Sequence, residues 1–300
     1  TLEIVRERTA WNRFSLVSKC QKISALLTLA ARALIERGEL LAAPDNSHGP
    51  IPGLIMLALG KQGAHELNYS SDIDVTLFAD TERLLVAPGR EPKVVAQKIV
   101  PLLARALDEI TAEGYVFRTD FRLRPDPAST PVVVSTAAAE IYYQSVGQNW
   151  ERAALIKARP CAGDIEAGRD FLKSIEPFVW RRHLDYAAVA DVHSIKRQIL
   201  AVHAGGALDE PSPDVKLGRG GIRDIELFAQ TQQLILGGRD RSLRPRDTMG
   251  ALDALMKAGA IDAPTRDGLA GAYVFLRHVE HRIQMLKDEQ TQRVPGGEMR

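Results

Sequence analysis

Two aspartates, Asp72 and Asp74, stand two residues apart in the stretch LALGKQGAHELNYSSDIDVTLFAD, where an apolar run resumes. On a strand, side chains at i and i+2 share a face. Asp72 and Asp74 therefore project the same way, while Ile73, Val75 and Leu77 turn toward a core. A later segment, YVFRTDFRLR, alternates in the same manner and is read as a strand. Phe117, Thr119, Phe121 and Leu123 line one face, and Arg118, Asp120, Arg122 and Arg124 line the other. If the two strands pair, Asp120 joins Asp72 and Asp74. Three carboxylates held together repel strongly unless a cation neutralises them, and hard oxygen ligands of this kind suit Mg2+, which completes its shell with water and substrate phosphates. Two such ions about 3.5–4 Å apart stabilise both the entering and the leaving oxygen of an in-line phosphoryl displacement. The three aspartates are read as metal ligands.

A lone Asp-x-Asp pair is more often a solvated turn than a site. Here the glycine-bearing GKQG lies directly upstream, and arginines share the face of the third aspartate. Gly60 and Gly63 permit close backbone approach to a phosphate, with Lys61, Ser70 and Ser71 as donors. The loop lacks the spacing and the following Ser/Thr of a Walker A motif, which argues against a P-loop NTPase. Arg122 and Arg124 present planar forks suited to phosphate or substrate. Further on, KLGRGGIRDIE sets Lys216 and Arg219 around glycines at an expected helix start. Helix amino termini bind anions, although a turn joining two helices explains the glycines equally well. The pair His278 and His281 has possible metal spacing, but without further ligands it reads as a salt-bridged surface.

The elements that must position these residues follow from periodicity and turn residues. A helix is expected over 13–41, stopped at Gly38, and APDNSHGPIPG reads as a linker. LIMLAL, DIDVTLF, YVFRTDFRLR and PVVVST read as strands, with a helix from about Lys93 to Glu113 between the second and third. From Thr136 onward strand signals vanish. Helical patterns take over at 151–159, 168–203, 222–236, 250–259 and 264–287. The expected class is α+β: a helical lead-in (1–48), a small α/β domain (49–140) and a helical domain (141–300). A net charge of +1 gives no whole-chain case for nucleic acid or an anionic membrane. No tract interleaves aromatic and basic residues for nucleic acid, and no run approaches a membrane span. Two distant cysteines fit a reducing, cytoplasmic setting. The start at Thr1 suggests a piece of something larger.

A glycine-bearing turn, then SSDID, then a third aspartate on a later strand resembles the nucleotidyltransferase superfamily of the DNA polymerase β type. Across residues 50 to 295, GKQGAHELNYSSDIDVTLF, DFRLRP, WERAALIKARPCAGD, KLGRGGIRDIELFAQTQQLILGGRDRSLR and LRHVEHRIQMLKDEQT narrow the resemblance to the glutamine synthetase adenylyltransferases, and to their amino-terminal, deadenylylating half. The chain departs from that pattern at Ala64, where a second glycine is usual, and at His65, where arginine is usual. The resemblance implies that Asp72, Asp74 and Asp120 are catalytic and bind two Mg2+, and that Gly60, Lys61, Gly63 and Ser71 hold nucleotide phosphate. The implied reaction is phosphorolysis: phosphate attacks the adenylyl-tyrosine of adenylylated glutamine synthetase, giving ADP and free tyrosine. The implied regulator is the PII signal protein, its uridylylated form favouring removal. Rival readings are adenylyl transfer from ATP, uridylyl transfer by a related enzyme, and a non-catalytic nucleotide sensor. For the PII uridylyltransferases, a His-Asp dipeptide would often mark the hydrolase domain, and none occurs here.

Overall fold

In the computed structural model, the residues described are 21–43, 51–68, 70–110, 115–182, 213–287 and 291–295. They fall into two units. The expected helix over 13–41 is seen from 21 to 36 (α1) and ends where Gly38 takes a left-handed φ of 66°, a conformation that costs glycine little. Residues 13–20 of that expectation lie outside the described residues.

The first unit is built on a five-stranded mixed sheet. β1 (Leu54–Ala58) pairs antiparallel with β2 (Ile73–Ala79) and with β5 (Arg159–Gly163). β2 in turn runs parallel to β3 (Thr119–Asp120) at its head and to β4 (Val133–Ser135) at its tail. Every residue of β1 is buried, as its continuous apolar run requires of a strand covered on both faces. Leu54, Met56, Ile73, Val75 and Leu77 share one core with α1 and with α3 (Pro92–Asp108). On the opposite face α6 (Ile165–Ser174) packs: Phe78 meets Phe171 at 4.6 Å between ring centroids. The expected division of β2 therefore stands, with Ile73, Val75 and Leu77 inward and Asp74 on the other face.

Two expectations are corrected. Only Thr119 and Asp120 of YVFRTDFRLR form a strand; beyond them the chain leaves the sheet and returns at Val133. Arg124 does not share a strand face with Asp120. Its guanidinium donates to the carbonyls of Phe121, Pro127 and Thr130, lacing that excursion together. Strand signals also do not end at Thr136: β5 completes the sheet at Arg159–Gly163, where KARPCAG lacks the β-branched residues that mark strands. The first unit accordingly continues through α4 (Thr136–Ser145) to Glu176, where α7 (Glu176–Val179) begins, and is interrupted at residues 68–71 and 148–156.

In the second unit, α8 (Ile222–Leu236), α9 (Thr248–Lys257) and α10 (Ala263–Lys287) bury Ile222, Ile225, Ala229, Leu252 and Tyr273 in a shared core. These helices match the expected spans closely. α5 (Asn149–Leu155) belongs to this unit and buries Arg152 completely. The Arg152 guanidinium donates to Val179 and Asn149 oxygens. Burial, with the nearby Arg181 charge, lowers its pKa to about 10, so it stays charged at neutral pH. The expected helix over 168–203 breaks at Ser174, and its later part lies outside the described residues. Among the described residues no helix is long and apolar enough to cross a membrane.

Asp164 fastens the return of the chain into the sheet. Fully buried, it caps α6 through Ala167 N–H at 2.9 Å and accepts from Gly53 N–H, also at 2.9 Å. Its own N–H donates to Leu54 O at 2.7 Å. Asp164→Ala removes the cap and strands the Gly53 N–H. The expected loss is about 2–4 kcal/mol, the sum of a lost cap and an unsatisfied buried donor. It is read as a fall in the urea midpoint at unchanged slope.

Candidate active site

The head of β2 assembles the acidic group. Parallel pairing sets Ile73 beside Thr119 and Asp74 beside Asp120, so Asp74 and Asp120 rise from neighbouring strands on one face. Asp72 stands immediately before β2, two residues ahead of Asp74. Each flanking carboxylate carries an arginine. Arg118 Nε donates to Asp72 Oδ1 at 3.0 Å. Arg122 forks onto Asp120, with Nε at 3.0 Å and Nη2 at 2.6 Å, and its peptide N–H donates to Oδ1 at 2.8 Å. That guanidinium holds the Asp120 carboxyl below the usual carboxylate range. Asp120 in turn raises the pKa of Arg122, with smaller contributions from the charges of Asp74 and Asp72. One cationic side chain thus feels all three acids.

Gly60 explains the glycine upstream. It opens a single helical turn, α2 (Gly60–Gly63), with φ of 49°. A Cβ there would lie 2.2 Å from Asp74 Oδ2. The Asp74 carboxylate occupies the space that any other residue would fill.

Gly63 has a different reason. Its Cβ would lie 2.0 Å from the Lys157 carbonyl and 2.8 Å from that of Ala58, so a glycine there serves packing against the sheet. Lys61 is buried, only 9% exposed. β5 holds this turn from the side: Arg159 donates to the Gln62 and Gly63 carbonyls at 2.9 and 3.1 Å, meeting oxygens that a helix end leaves open. Lys157 pairs with Glu66 at 3.1 Å.

Asp108, at the end of α3, escaped the sequence reading. It accepts from Thr119 Oγ1 at 2.9 Å. Burial, and more weakly the charge of Asp72, push its pKa up. The only available sign was its position, the last turn of a crossover helix that returns the chain to the strand beside β2.

Ser70 and Ser71 group with the second unit, as do Lys216 and Arg219. Ser70 is buried. Lys216 lies in the turn ahead of α8, where Asp214 Oδ1 accepts the Lys216 and Leu217 N–H groups at 2.8 Å each. Gly220 N–H donates to Asp224 at 2.9 Å. Two carboxylates of the chain therefore already satisfy donors around this helix start, and Arg219 is exposed beside them. Glu226 is buried within α8.

The acidic group suits Mg2+ in donor chemistry, in the register that pairs Asp74 with Asp120, and in the room left by Gly60. As the side chains stand, Asp72 and Asp120 are turned onto arginines. Among the described residues no three His, Cys, Asp or Glu side chains are grouped to hold a metal ion.

Comparison with known proteins places this geometry in a family. Residues 6–174 match the family model described as glutamate-ammonia ligase adenylyltransferase. Residues 193–300 match that of GlnD PII-uridylyltransferase. The bifunctional glutamine synthetase adenylyltransferase/adenylyl-removing enzyme of Caulobacter vibrioides is 53% identical over 92% of this chain and 28% of its own length. Those of Agrobacterium fabrum and Rhizobium meliloti are 52% and 50% identical, each over 98% of this chain and 29% of their length. The chain spans under a third of the length of these relatives. A family model covering more than half of its residues, and identity of about one residue in two with these enzymes, show that the chain belongs to the glutamate-ammonia ligase adenylyltransferase family.

Proposed function

We propose that the chain removes the adenylyl group from adenylylated glutamine synthetase by phosphorolysis. The observation that carries this reading is the β2–β3 register, which sets Asp74 across from Asp120 against a glycine that leaves its carboxylate room. The names of the relatives, which give both adenylyl transfer and adenylyl removal, support the substrate. In the reaction an oxygen of inorganic phosphate forms a bond to the adenylyl phosphorus. The bond from phosphorus to the tyrosine oxygen breaks, the electron pair leaves on that oxygen, and the phenol takes up a proton. The products are ADP and unmodified tyrosine.

Magnesium held by Asp72, Asp74 and Asp120 would neutralise charge on the transferring phosphoryl group. The rest is done by the chain's own residues. Gly60 lets the Asp74 carboxylate keep its place, and Arg118 fixes that of Asp72. Arg122, largely exposed, presents a fork that fits a phosphate. Lys61 remains the proposed phosphate donor of the first unit. A cytoplasmic enzyme regulated by the uridylylated PII protein completes the proposal. The likeness of residues 193–300 to a PII-uridylyltransferase supports the choice of PII.

The same carboxylates serve adenylyl transfer in either direction, and the name of the matching family favours the opposite one. The test combines adenylylated glutamine synthetase, Mg2+ and phosphate with the chain. ADP is expected only when phosphate is present, and is lost in Asp74→Asn. Adenylyl transfer from ATP onto unmodified enzyme, with no ADP from the first assay, reverses the direction.

The two glycines of GKQG separate in the same assay. Gly60→Ala meets only the mobile end of Asp74, so activity is expected to fall toward that of Asp74→Asn. Thermal stability should drop by only a few degrees, in line with roughly 1 kcal/mol for a left-handed alanine. Gly63→Ala meets two backbone carbonyls that cannot step aside. Its expected cost is larger, about 1–3 kcal/mol or more as for overpacking, read from the thermal midpoint.

A further inference from the structure

The two arginines on the acidic group are held very differently. Arg118 is braced: its Nη1 donates to the Tyr115 hydroxyl at 2.5 Å, and its guanidinium lies 5.3 Å from the Tyr115 ring centroid. Its side chain is 32% exposed. Arg122 has no such support. Its side chain is 83% exposed and reaches back two residues to Asp120, itself only 17% exposed. The turn does not depend on the guanidinium, because the peptide N–H of Arg122 independently bonds Asp120 Oδ1. A solvent-exposed positive charge therefore stands on Asp120, tethered by a side chain that can leave without disturbing the backbone.

We propose that Arg122 is a displaceable counter-ion, which neutralises the acidic group while no metal is bound and must release Asp120 for a divalent cation to enter. The inference rests on the reading that Asp72, Asp74 and Asp120 hold that cation. It goes beyond that reading by making cation loading a competition within the chain. Arg118 keeps its bond to Asp72 throughout, since Tyr115 fixes it from behind. Arg122 is the moving part. Once released, its fork is free for a phosphate oxygen, so metal entry and anion capture become linked events. Exposed ion pairs are weak and salt-sensitive, which suits a contact that must be broken in each cycle.

The test is direct Mn2+ binding to the full chain at low ionic strength, counting free ion by its paramagnetic resonance signal, with Arg122→Gln, Arg122→Lys and Asp74→Asn alongside wild type. Arg122→Gln is expected to bind Mn2+ about three-fold more tightly, the scale of an exposed ion pair. Arg122→Lys, charged but without the fork, falls between. Asp74→Asn binds at least about ten-fold more weakly, and unfolding curves confirm that each variant folds. Unchanged or weaker binding by Arg122→Gln, with Asp74→Asn still impaired, overturns the role of Arg122 and leaves the cation site standing. Equal binding by Asp74→Asn and wild type, or none by any form, overturns the cation site and this inference with it.

Discussion

The parallel register of β2 and β3 is the constraint on which the acidic end of the first unit depends. Like charges directly opposite on neighbouring strands are destabilising, yet the β2–β3 register sets Asp74 against Asp120 with Asp72 close by. The surrounding residues answer that cost. Arg118 and Arg122 meet the two outer acids. β1 beneath is buried throughout and β2 puts Ile73, Val75 and Leu77 in the core, which fixes the register of the sheet. The fold thereby holds Asp74 and Asp120 on neighbouring strands, with Asp72 and Asp120 each turned onto an arginine.

The acids were legible in the sequence because alternation has a period of two, and that period is fixed by backbone geometry rather than by context. Ile73, Val75 and Leu77 declared the inner face of β2, and the buried core bears it out. The same rule failed beyond Asp120. FRLR alternates as faithfully as FRTD, but alternation says only which way side chains would point on a strand, not how long the strand is. Arg124 spends its guanidinium on three carbonyls of a turn, and no local pattern distinguishes that role from a sheet face. β5 was missed for the opposite reason. Its residues have weak strand propensity, and pairing with β1 across about a hundred residues overrides it. Asp108 became visible only when α3 delivered it beside Thr119.

Glycine spacing carried two messages under one appearance. Gly60 and Gly63 read alike as a loop for a phosphate, but the first makes room for a carboxylate and the second for a carbonyl. The lysine and arginine of KARP likewise do structural work: Lys157 pairs with Glu66, and Arg159 holds the open carbonyls of α2. These two side chains support the turn that carries Gly60 and its surroundings, and any effect they have on chemistry is indirect.

The passage of the chain between the two units has a consequence for how the molecule is made. The first unit stops at Gly147, yields nine residues to the second, and resumes at Lys157 to add β5 and α6. β1 therefore lacks one of its two neighbours until residue 163 has been synthesised. During translation the nascent first unit carries an open edge along its most apolar strand. Nor can either unit be lifted out by a single cut.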